Sequence, residues 1–126
     1  MMISTELYRQ LGGLDEDLWL FFNDVDLCRR IYRLGKKIRY HCGAEVMHHE
    51  GASTKTFGKF VVIWNRNRMA YYGKHYGSWV MPYMRMVLRL RALEESIRAR
   101  FRHQDPAARR SERAQIKGMV KEILAR

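Results

Sequence analysis

Between Gly12 and Ser53 the chain gathers side chains that can carry chemistry. Carboxylates stand at Asp15, Glu16, Asp24 and Asp26, and His48 and Ser53 follow further along. A carboxylate at a loop-to-helix junction is well placed to take a proton from a hydroxyl that is turning into a nucleophile. Asp24 occupies such a junction, since Val25, Leu27, Cys28, Ile31, Tyr32 and Leu34 repeat with helical spacing behind it. The bland alternative is that Asp24 and Asp26 merely favour the positive end of that helix.

The neighbours fall into the same pairs of readings. Asp26 either supports the helix start or pairs with a nearby arginine. Gly12 and Gly13 either bring a loop close to a ligand or stop a helix. Trp19, Phe21 and Phe22 can line a binding site or fill an apolar core loop. By themselves His48 reads as a hydrogen bond to its own loop and Ser53 as a cap for the next helix. His41, Cys42, His48 and His49 lie close together, but adjacent His-Cys and His-His pairs do not match the spacings of zinc sites.

In order, the blocks are Gly-Gly-Leu-Asp-Glu from Gly12, the aromatic stretch around Trp19, Asn-Asp-Val-Asp-Leu-Cys-Arg-Arg from Asn23, and His-His-Glu-Gly-Ala-Ser from His48. This series resembles the acceptor-side motif of family 2 glycosyltransferases, in particular the rhamnosyltransferase-like branch. The resemblance implies that Asp24 is the catalytic base of an inverting sugar transfer. It implies that Gly12, Gly13, Asp15, Glu16, Trp19, Asp26, Arg30 and Ser53 contribute to acceptor or donor binding. His48 would help hold the divalent cation, Mn²⁺ or Mg²⁺, that bridges a donor diphosphate. Two departures stand out: Asn23 replaces the family's glutamate, and Cys42-Gly43 replaces a proline and a polar residue.

The implied substrates are a nucleotide-sugar and a glycan or polyprenyl-linked acceptor. In such enzymes an Asp-x-Asp motif in a preceding nucleotide-binding half holds the metal, and no such motif lies ahead of Gly12. The cation is therefore expected only together with that donor-binding half, whether a separate N-terminal half or a continuation of the same gene supplies it. The 126 residues alone are expected neither to bind donor nor to turn over.

These residues need elements to hold them. Met1 to Ser4 reads as a strand, Thr5 to Leu11 as a helical turn with Thr5 able to cap it, Asp24 to Leu34 as a helix ended by Gly35, and Lys37–His41 and Glu45–His48 as short strands. Downstream, Phe57, Phe60, Val61, Trp64, Tyr71 and Tyr72 are spaced for a helix up to Gly73. Tyr83, Met86, Val87, Leu90, Leu93, Ile97 and Phe101 are spaced for a second. Asp105-Pro106 opens a third, with an apolar ladder at Ile116, Met119, Val120, Ile123 and Leu124. The expected fold class is α/β: residues 1–54 form the C-terminal part of a GT-A catalytic domain, a few short strands plus a helix, and residues 55–126 form a basic α-helical extension.

Charge divides the chain in the same way. Residues 1–50 hold seven Lys/Arg against eight Asp/Glu, net −1, and residues 51–126 hold seventeen against five, net +12, which together make the overall +11. Such a field attracts nucleic acid, anionic lipid or phosphorylated ligands. A basic module that binds nucleic acid or a membrane surface without catalysis is thus the rival to the enzyme reading. No nucleic-acid-binding motif accompanies Tyr71, Tyr72 and Tyr76. Arg85, Arg89, Arg98 and Arg102 with Trp79 and Tyr83 suit a helix over 79–102 lying on an anionic membrane. No apolar run approaches the roughly 20 residues of a membrane span, and the N-terminus lacks the pattern of a signal peptide. With two irregularly placed cysteines, the expected location is the cytoplasm, with the inner face of the plasma membrane as a peripheral site.

Overall fold

Helices account for all the regular structure among the described residues, which in the computed structural model are 1–18, 20–47 and 60–125. In order they are α1 (Thr5–Gln10), a single 3-10 turn (Glu16–Leu18), α2 (Asn23–Arg33), α3 (Phe60–Tyr76), α4 (Val80–Arg102) and α5 (Pro106–Leu124). The chain divides into two compact units, Met1–Phe60 and Val61–Arg126.

The expected α/β class and its partial GT-A domain are overturned. Neither Met1–Ser4 nor Lys37–His41 nor the described part of 45–48 forms a strand. Short runs with apolar residues made them candidates, but a strand exists only when a neighbour takes up its N–H and C=O groups. Among the described residues no segment does so, and their apolar side chains stay outside: Tyr40 is 92% exposed and Val46 85%.

In the first unit both helices are closed by glycine. Ser4, rather than Thr5, caps α1, its Oγ accepting from the Leu7 N–H at 3.3 Å. At the other end Gly12 and Gly13 take φ of 73° and 78°. Their N–H groups return to the carbonyls of Arg9 and Tyr8, the paired bonds of a Schellman turn. Gly35 ends α2 in the same way at φ 70°, with bonds from Gly35 to Tyr32 and from Lys36 to Ile31. Leu18, Leu27 and Ile31 are the buried apolar side chains of this unit.

The second unit is built from α3, α4 and α5, with Val62, Leu88 and Ile123 meeting at its core and Met69, Val120 and Leu124 packed around them. Asp105 caps α5 as the Asp-Pro pair foretells, accepting from the N–H groups of Ala107 and Ala108 at 2.9 and 3.2 Å. The Arg66 guanidinium of α3 donates to the Glu122 carbonyl of α5 at 2.6 Å. Helix α3 runs through Gly73, the expected stop, to Tyr76, and it is Gly77, at φ 85°, that ends it. On α4 the face turned inward carries Val80, Met84, Leu88 and Ala99. The stripe from Tyr83 to Phe101 that foretold the helix points outward. Two apolar stripes on opposite sides share this helix, and only one finds α3 and α5.

Candidate functional site

The residues singled out by sequence fall into two arrangements in the first unit. One is a clamp. Asp26, two residues into α2 from Asp24, is fully buried and accepts from Arg30 Nε at 2.7 Å, one helical turn on. The same guanidinium donates through Nη1 to the Leu11 carbonyl at 2.6 Å and through Nη2 to the Gly13 carbonyl at 2.8 Å. Leu11 is the C-cap of α1, where backbone carbonyls have no helical partner and the helix dipole is negative. Arg30 thus satisfies those acceptors with a cation, and Asp26 neutralises it from within. Gly12, Gly13, Asp26 and Arg30 are brought together as the joint that holds the turn after α1 against α2.

The second arrangement is the carboxylate that the joint presents. Helix geometry turns Asp24 about 200° away from Asp26, so one aspartate is buried and the other exposed. Asp24 Oδ1 accepts from the Val25 N–H at 2.9 Å, and the Asp24 N–H donates to Asn23 Oδ1 at 2.8 Å. Directly before them, Phe22 holds φ 66° and ψ −2°, the only left-handed non-glycine residue among those described. That conformation is costly for a side chain with a Cβ and marks a place where the surrounding structure imposes the backbone path. Here it bends the loop abruptly into α2. The Phe21 ring meets Phe60 edge-on at 4.9 Å.

Between the two lies the turn of Asp15 and Glu16. Asp15 Oδ1 accepts from the Asp17 N–H at 3.0 Å and its carbonyl from Leu18, so Asp15 shapes the loop, while Glu16 is exposed. Trp19, His48 and Ser53 lie outside the described residues. No three His, Cys, Asp or Glu side chains converge as a metal cluster among those described. A hollow of about 660 Å³ in the first unit is lined by Met1, Leu7, Cys28, Ile31 and Tyr40 among others; of the motif blocks only Cys28 reaches it, and none of Gly12, Gly13, Asp15, Glu16, Asp24, Asp26 and Arg30 does.

Sequence reasoning missed the carbonyl capture by Arg30 and the backbone of Phe22. The Asp26-Arg30 spacing of four signals a helical pair, but nothing in the sequence signals that the guanidinium reaches seventeen and nineteen residues back. In the second unit a cavity of about 340 Å³ is walled by Leu88, Ile116 and Ile123, and Arg68 beside it rests over the Trp64 ring at 4.8 Å. Burial lowers the pKa of Arg68, and the charge of Arg91 adds to the effect against an opposing influence of Tyr72.

Comparison with known proteins gives the class that part of this chain is similar to. Over 54 residues the chain is 35% identical to a protein named N-acetylglucosaminyl-diphospho-decaprenol L-rhamnosyltransferase in two strains of Mycobacterium tuberculosis; the match covers 43% of this chain and 18% of that protein. It is 37% identical over 54 residues to an uncharacterized protein of Sinorhizobium fredii, 42% of this chain and 6% of that one. The chain therefore spans less than a fifth of the rhamnosyltransferase it matches. No family model matches the chain. No solved structure matches it either. The chain has a distant, partial similarity to a glycosyltransferase.

Proposed function

We propose that residues 12 to 54 supply the acceptor side of an inverting sugar transfer, with Asp24 as the base and with the donor diphosphate and its cation held by protein beyond these 126 residues. The observation that carries this reading is the division between two aspartates on one helix: Asp26 is buried and committed to Arg30, while Asp24 stands exposed at the helix start. A structural acid and a base need those opposite surroundings.

In the proposed step the Asp24 carboxylate takes the proton of an acceptor hydroxyl. The hydroxyl oxygen bonds to the anomeric carbon, and the bond from that carbon to the diphosphate oxygen breaks, the nucleoside diphosphate leaving with the electron pair. The name of the Mycobacterium protein points to a polyprenyl-diphosphate-linked N-acetylglucosamine as acceptor and L-rhamnose as the sugar moved. His48 and Ser53 remain candidates for the cation and the donor phosphates, on the motif resemblance alone.

The test is an NMR titration of the purified chain with a short-chain N-acetylglucosaminyl-diphospho-polyprenol. Shifts confined to Asp24 and the Gly12–Gly13 turn are expected, without transfer from any nucleotide-sugar. A flat titration in those signals would remove the acceptor-side assignment. Measurable transfer by the chain alone would show instead that the donor side is not missing.

A further inference from the structure

Helix α4 leaves one apolar face uncovered. Tyr83, Met86, Leu90, Leu93, Ile97 and Phe101 are between 48% and 82% exposed. They follow one another at intervals of three and four, so at 3.6 residues per turn they fall within an arc of about 80°. Trp79, at the N-cap and 74% exposed, continues the line, giving a stripe about 33 Å long. A contiguous exposed apolar band of this length marks a surface that meets something.

The edges of the stripe say what. On one side stand Arg85, Arg89 and Arg100, all exposed and with no acidic partner among the described residues. On the other, Arg91 and Arg98 are held by Glu94, and Arg98 also by Glu95. The uncompensated charge is therefore positive and borders the apolar band along its length. Aromatic and aliphatic side chains flanked by arginines form the pattern of a helix that lies in a bilayer interface, its rings among the acyl-headgroup boundary and its cations on anionic headgroups. Crossing is a different matter: no described helix is long and apolar enough to span a membrane.

We propose that the outer stripe of α4, from Trp79 to Phe101, docks the protein on an anionic lipid bilayer surface. A second copy of the stripe would bring a second set of unpaired arginines, not the anions that they lack, so the bilayer is the better match. The proposal stands on the second unit alone and holds whether or not the first unit takes part in sugar transfer.

The experiment is co-sedimentation of the full chain with phosphatidylcholine vesicles containing or lacking phosphatidylglycerol, with tryptophan emission recorded alongside. Binding is expected only with the anionic lipid, weakening as salt rises, with a blue shift that Trp79→Phe removes. Replacing Arg85, Arg89 and Arg100 together by glutamine lowers partitioning on the order of 100-fold, at the usual contribution of each surface cation. Leu90→Glu with Leu93→Glu abolishes it, with circular dichroism reporting retained helix; if that pair unfolds, the arginine variant decides, since its three side chains lie on the exposed rim. Equal binding to neutral and anionic vesicles, no binding, or indifference to the arginine variant would overturn the proposal. So would a Leu90-dependent dimer in sedimentation equilibrium, which would assign the stripe to self-association.

Discussion

The guanidinium of Arg30 and the carbonyl of Gly13 are joined at 2.8 Å across seventeen residues of sequence, with Asp26 buried behind the cation. This bond makes the turn after α1 and the start of α2 one mechanical piece, and Asp24 sits at the edge of that piece.

Arg30→Met removes the cation and breaks the ion pair of the buried Asp26. Loss of one member of a buried pair costs about 3 kcal/mol, the low end of the usual range because the Arg30 side chain keeps 19% of its surface in solvent. Urea unfolding of the first unit should show the loss. Arg30→Lys should recover only part of it, since an ammonium cannot span Asp26 and two carbonyls with a planar fork.

Asp24→Asn should separate chemistry from stability. The side chain is exposed, and its favourable position at the helix start is worth at most about 1 kcal/mol. In the intact protein containing this segment, transfer should fall by about 10²- to 10⁴-fold if Asp24 is the base. The midpoint of urea unfolding should move little. Full activity with asparagine would end the assignment of the base.

Phe22 inverts a usual preference. Glycine normally destabilises relative to alanine, yet at φ 66° a Cβ is penalised by about 1 to 2 kcal/mol. Phe22→Gly should therefore be more stable than Phe22→Ala, by roughly 1 kcal/mol. Thermal melts of the two variants compare them directly, because both lose the same ring.

Asp105 gives a pH dependence whose sign is fixed. The N–H groups of Ala107 and Ala108 bond the carboxylate and hold its pKa below the usual value; desolvation opposes them, and the charges of Arg109 and His103 add to the lowering. A depressed folded-state pKa stabilises above the unfolded value, near about 4, and that contribution is lost as pH falls through the folded one. Wild type should melt above Asp105→Ala at neutral pH, and the gap should close in acid. Asp105→Asn should retain much of the cap and lose the pH dependence.

Local chemistry wrote several features plainly into the sequence. The Asp105-Pro106 start of α5, the glycine stops at Gly12, Gly13 and Gly35, and the apolar ladder ending at Ile123 and Leu124 each depend on a few adjacent residues, and each is present. The blocks from Gly12 to Ser53 are read from order and spacing alone, and the chain's partial similarity to a rhamnosyltransferase supports the same broad class and no more.

Tertiary structure decided the rest. Whether Lys37–His41 becomes a strand depends on a partner that its own alternation does not specify, and none is present among the described residues. Which of two apolar stripes on α4 turns inward depends on where α3 and α5 pack, so periodicity found the helix and missed its buried side. The division of Asp24 from Asp26 has the same origin. Both aspartates open α2, but only the fold sets the Leu11 and Gly13 carbonyls where Arg30 meets them, and that contact commits Asp26 to structure and leaves Asp24 at the surface.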